Sequence, residues 1–149
     1  LALLVAVLDV GKGVLAVVLM RAVTADPAWA AAAGLAAVLG HCFPVWLSFS
    51  GGKGVATAAG AFGSLALAPV AAVAGVWVVL LALTRVVSLS SVIAAAVFPV
   101  AFHYLVRPPL PVSLCAAATV LVIIYRHRDN LARLVRGEEP RLGRKERSS

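Results

Sequence analysis

Six apolar runs, parted by short polar clusters, constrain this chain more than any other feature. They cover residues 1–20, 28–47, 55–68, 70–84, 88–105 and 110–125. A bilayer core is crossed by roughly 20 helical residues, with about 17–25 as the usual range. Three of the runs meet that length, and 110–125 nearly does. The run 55–68 is short, at about 21 Å of helix. It is expected either to cross steeply or to fuse with its neighbour. Hydrophobic residues make up 62% of the 149 and charged residues only 13%, an apolar load that no soluble domain of this size needs. The expectation is an all-α, polytopic integral membrane helical bundle of about six spans. Residues 1–125 form its transmembrane domain, and 126–149 form a basic tail.

The formal net charge is +7, and eight of the thirteen basic residues fall between Arg126 and Arg147, directly after the last run. Basic residues that flank spans collect on the cytoplasmic side. The tail is expected there, where it can also attract anionic membrane lipid. The same charges do not read as a nucleic-acid surface, because no platform of interleaved aromatic and basic residues accompanies them. Cys42 and Cys115 are expected near opposite membrane faces, too far apart to pair, and read as small apolar core residues. Trp29, Trp46, Tyr104 and Tyr125 stand at run ends, where interfacial aromatics belong.

Residues 40–57, G-H-C-F-P-V-W-L-S-F-S-G-G-K-G-V-A-T, carry the densest chemistry. A lysine at membrane depth is expensive, so Lys53 is read as functional. Gly51, Gly52 and Gly54 let the backbone turn tightly beside it and offer N–H groups to an anion. A helix starting after Gly54 adds the positive end of its dipole. Pro44 is expected to kink or end the preceding helix. His41 reads either as a packing residue or as part of the site. Elsewhere, Asp9 and Lys12 are three apart and share a helix face, which favours an ion pair. Ser88 reads as the N-cap of the fifth helix or as a donor to the same anion site, with Ser91. His127, Asn130 and Arg133 fall on one helical face just after the last run. From Arg136 onward the chain reads as a solvated tail.

With six crossings counted back from a cytoplasmic C-terminus, the polar clusters around Lys12, Lys53, Ser88 and His127 all meet one side. They supply cations and hydroxyl or amide donors but few carboxylates, so no metal site is expected. A nucleotide P-loop is excluded: Leu47 stands where its first glycine belongs, and Gly54 stands where Ser or Thr belongs. There is no G-x-S-x-G elbow. The chemistry left is phosphate binding.

These residues resemble the bacterial acyl-phosphate:glycerol-3-phosphate acyltransferase (PlsY) family. The specific matches are the block 40–57, and H-R-D-N-L-A-R-L at 127–134 followed by G-E-E at 137–139. D-V-G-K-G at 9–13 and R-V-V-S-L-S-S at 85–91 support them. The resemblance implies an inner-membrane enzyme with a cytoplasmic active site. Its substrates would be acyl phosphate and glycerol 3-phosphate, its products lysophosphatidic acid and phosphate, and it would need no cofactor or metal. It further implies that Gly51, Gly52, Lys53 and Gly54 hold phosphate. Ser88, His127 and Asn130 would complete the pocket, with Lys12, His41 and Arg133 as further binding candidates and His127, Asn130 and Lys53 as the catalytic set. Relatives also have an N-terminal helix followed by a Gly/Ser/Asn-rich loop with an arginine, which this chain lacks. A truncated sequence of a seven-span protein is therefore expected. The alternatives are a phosphate or organic-anion transporter, and an inactive relative.

Overall fold

The computed structural model describes residues 2–143, so Arg144, Lys145 and Arg147 of the basic tail lie outside the described residues. Every apolar run is helical. α1 spans Ala2–Val23, α2 Pro27–Cys42, α3 Val55–Leu65, α4 Leu67–Thr84, α5 Val87–Val106 and α6 Leu110–Arg126; a short α7, Arg128–Val135, follows. Local chemistry sets the boundaries. The Asp26 carboxylate accepts the Ala28 N–H at 2.8 Å, with Pro27 in the first helical position. α2 stops ahead of Pro44, after which Val45–Leu47 make one 3-10 turn. A single extended residue, Ala66, separates α3 from α4.

The core forms where α1, α2, α3, α5 and α6 meet. Phe62 of α3 packs edge-on against Phe98 and Phe102 of α5, with centroids 5.3 and 6.0 Å apart. Val17, Ala30, Ala31 and Ala61 fill the space between α1, α2 and α3. Small residues let those helices approach closely, the usual route to association where lipid competes for apolar surface. α4 packs on α5 and turns the rest of its apolar surface outward: Val78, Val79 and Leu83 are 56%, 58% and 77% exposed. Such residues face lipid.

α1, α2 with its following turn, α4 and α5 are each long and apolar enough to cross a membrane, and α6 with α7 makes a fifth candidate bent by 51°. α3 has 11 residues, about 16 Å. The six runs therefore become six helices but four or five full-length spans. α3 falls short because the Ala66 break ends it early, as the short third run led one to expect.

Candidate active site

At one end of the bundle α2 and α6 stop while α3 and α5 begin. The loop Gly51–Gly54 lies there. Gly54 caps α3 at φ 83°, a conformation that favours glycine, and a Cβ on it would sit 2.9 Å from Cys42 Sγ and Val38 Cγ1. The N–H groups of Gly51 and Gly52 donate to Cys42 O at 3.3 Å and His41 O at 3.1 Å, satisfying carbonyls that the end of α2 leaves free. The His41 ring lies against Gly52 where a Cβ would otherwise stand. The expectation that the whole loop turns amides toward an anion thus narrows. The open N–H groups are those of Lys53, Gly54 and the first turn of α3, which have no partner among the described residues.

Lys53 is exposed beside this helix start. The protein around its ammonium costs it hydration and lowers its pKa; Glu139 opposes that shift, while Arg133 and Arg126 add to it. His127 lies within the same electrostatic neighbourhood. It occupies the bend between α6 and α7, is 2% exposed, and its Nδ1–H donates to Ile123 O at 2.8 Å. That bond leaves Nε2 as the open acceptor of the neutral ring.

Glu139 gathers the remaining candidates. Its Oε1 accepts from Ser88 Oγ and Asn130 Nδ2, both at 2.6 Å, and its Oε2 pairs with Arg133 Nε at 2.9 Å. Its side chain is only 5% exposed. Burial alone would raise its pKa, but the bonds from Asn130, Ser88 and Arg133, with the Arg133 charge, hold it below the ordinary glutamate range. Two sequence readings are corrected here. Ser88 is not the N-cap of α5: Val86 holds that position without a side-chain bond, because the Ser88 hydroxyl is drawn to Glu139. Nor is the chain past Arg136 simply solvated. Arg136 and Glu138 are exposed, but Glu139 is not, and Leu142 N–H reaches Arg85 O at 2.8 Å. Ser91 is spent elsewhere, accepting from Trp77 Nε1 at 3.0 Å.

The Asp9–Lys12 pair forms as the spacing predicts, at 2.6 Å. Lys12 Nζ also meets His41 Nδ1, and Asp9 Oδ1 lies 3.4 Å from that nitrogen. Lys12 and His41 therefore back the glycine loop from the α1 side. All the candidates converge on one end of the bundle. Sequence reasoning missed two residues that tie them together. Glu139 was visible as the last residue of G-E-E. Arg126 was visible as a charge directly at the end of an apolar run, but was counted only as tail.

Beneath the loop is an apolar cavity of about 210 Å³, lined among others by Val55, Ala58, Phe62, Trp77, Phe98 and Ile123. A lipid-facing bundle with helices of bilayer length is an integral membrane protein, and at one end it sets cations and open amides beside an apolar cavity. Residues 1–137 match the glycerol-3-phosphate acyltransferase family model. A glycerol-3-phosphate acyltransferase of Synechococcus elongatus is 49% identical, over 97% of this chain and 72% of its own length. One from Jannaschia sp. is 45% identical, over 96% and 69%. The crystal structure of PlsY (YgiH), an integral membrane glycerol 3-phosphate acyltransferase, in its glycerol 3-phosphate form superposes with a TM-score of 0.87 at 37% identity, covering 95% of this chain and 70% of that one. The lysophosphatidic acid form gives 0.86 over 95% and 72%. The chain belongs to the glycerol-3-phosphate acyltransferase family, and the transporter alternative is set aside.

Proposed function

We propose that this enzyme moves a fatty acyl group from acyl phosphate to the 1-hydroxyl of glycerol 3-phosphate at the cytoplasmic side of the inner membrane, an early step of phospholipid synthesis. One observation carries the reading: Val55, whose N–H is one of the open amides at the start of α3, also lines the apolar cavity, and Lys53 lies two residues before it. Acyl phosphate has a doubly charged head on an alkyl chain, and this corner suits both halves. Glycerol 3-phosphate brings a second phosphate, for which Asn130 and Arg133 keep N–H groups beyond those given to Glu139, while Ser88, its hydroxyl donated to Glu139, helps hold that cluster and Gly51 and Gly52 shape the floor.

The hydroxyl oxygen attacks the acyl carbon. A carbon–oxygen bond forms, the bond from that carbon to the phosphate oxygen breaks, and its electron pair leaves on phosphate. The proton passes to Nε2 of His127 or to the departing phosphate. Acyl phosphate is already activated, so no protein nucleophile, cofactor or metal is called for. Positioning and charge stabilisation supply the rate. In vesicles given acyl phosphate and labelled glycerol 3-phosphate, lysophosphatidic acid should accumulate. Lys53→Ala should lower turnover by about 100-fold or more without moving the unfolding midpoint, because Lys53 is exposed. Transfer only from a thioester donor, or full activity of the variant, contradicts the proposal.

A further inference from the structure

Arg126 is the last residue of α6 and forms no ion pair among the described residues. Its guanidinium instead grips two consecutive carbonyls of the glycine loop: Nη2 donates to Gly51 O at 2.6 Å and Nε to Gly52 O at 3.1 Å. Its flat face rests on the Phe43 ring, with Cζ 5.3 Å from the centroid, and Phe43 is in turn held beside Tyr125 of α6. We propose that Arg126 is the positioning residue of the phosphate site: by clamping these two carbonyls it sets the direction of the amides that receive phosphate.

The argument is geometric. A trans peptide sends its C=O and N–H in opposite directions. Fixing Gly52 O on Arg126 therefore points the Lys53 N–H away from the guanidinium. Fixing Gly51 O does the same for the Gly52 N–H, which is received by His41 O. All four polar groups of Gly51 and Gly52 are then engaged within the protein, and the first free amide is that of Lys53. A planar fork holds two adjacent carbonyls in fixed directions, whereas an ammonium on a flexible stem can meet both and fixes neither. Arg126 also stands one residue before His127. The same side chain thus ties the phosphate loop to the bend that carries His127 and Asn130. Its uncompensated charge adds to the positive potential around Lys53. This inference rests on the proposed function for its substrates but not for its binding test.

The test titrates inorganic phosphate into the purified detergent-solubilised protein without any acyl donor, beside steady-state kinetics with both substrates. Arg126→Gln should weaken phosphate binding and raise KM for the phosphorylated substrates by roughly tenfold, the loss expected of one charge-assisted hydrogen bond, with a smaller change in kcat. Arg126→Lys should recover only part. Phe43→Leu keeps the charge and removes its shelf, and should weaken phosphate binding by a few-fold; it carries the test if Arg126→Gln does not fold. Unchanged phosphate affinity in Arg126→Gln, or in Phe43→Leu where Arg126→Gln does not fold, overturns the proposal, as does full recovery by Arg126→Lys, which would reduce the residue to its charge. A wild type that binds phosphate but transfers no acyl group from acyl phosphate would sink the functional reading alone.

Discussion

Glu139, in the chain after α7, holds Ser88 of α5 and Asn130 and Arg133 of α7 on two oxygens. Removing its charge leaves Arg133 without its counter-ion and two buried donors with a poorer acceptor. Because Arg133 is 39% exposed, solvent screens part of the pair. Glu139→Gln should therefore destabilise the protein by about 1–3 kcal/mol, the range for a hydrogen bond to a charged group. The pH dependence follows from the depressed pKa. A carboxyl held below its unfolded value stabilises the fold at pH above that value and loses the contribution as pH falls through the folded one. Thermal unfolding of the wild type should thus weaken as pH drops below the ordinary glutamate value of about 4.3. Glu139→Gln should lack that component. An identical acid slope in both proteins would show that folding does not lower the pKa of Glu139.

The glycine loop behaves as one element clamped from two sides. α1 and α2 present Asp9, Lys12 and His41 on one flank, and α6 presents Arg126 on the other. Gly52→Ala would drive a methyl group into the His41 ring. The loop must shift, and the open amides shift with it. Phosphate affinity should fall by about tenfold or more while the unfolding midpoint moves little, since the loop is outside the core. Truncating the obstacle should help: in Gly52→Ala/His41→Ala the combined defect should be smaller than the product of the two single defects, a coupling that a double-mutant cycle measures. Strict additivity would mean that the ring does not press on the loop.

Over the whole molecule the two ends of the bundle differ. Lys12, Lys53, Arg126, Arg133 and Glu139 occupy one end, while the opposite end has the Arg107–Pro109 turn and exposed Tyr104. α6, followed by the short α7, joins the turn at Pro108 to the tail at Gly137. Cysteines introduced at these positions should therefore be labelled from opposite sides of the membrane. In intact cells an impermeant reagent should reach the one at Pro108, and the one at Gly137 only after permeabilisation. Equal labelling from one side would refute the crossing and, with it, the proposed cytoplasmic placement of the site.

The sequence by itself determined the class of fold, because apolar runs of bilayer length can only satisfy their backbone groups as helices. It also marked most of the candidate site. Lys53 stood out by its cost in lipid, the glycines by their clustering, and the Asp9–Lys12 pair by helical spacing. Helix lengths were legible to within a few residues, since the polar clusters between runs and Pro44 signal the boundaries. What depended on chain segments far apart was not legible. Ser88 lies 51 residues from its partner Glu139, so capping was the nearer reading of its hydroxyl. Arg126 lies 74 and 75 residues from the carbonyls it grips, and a basic residue after an apolar run reads as topology until the partner is seen. Local periodicity and residue cost are properties of neighbours in the chain. Which carbonyl an arginine finds is decided by how helices pack, and only the tertiary structure contains that.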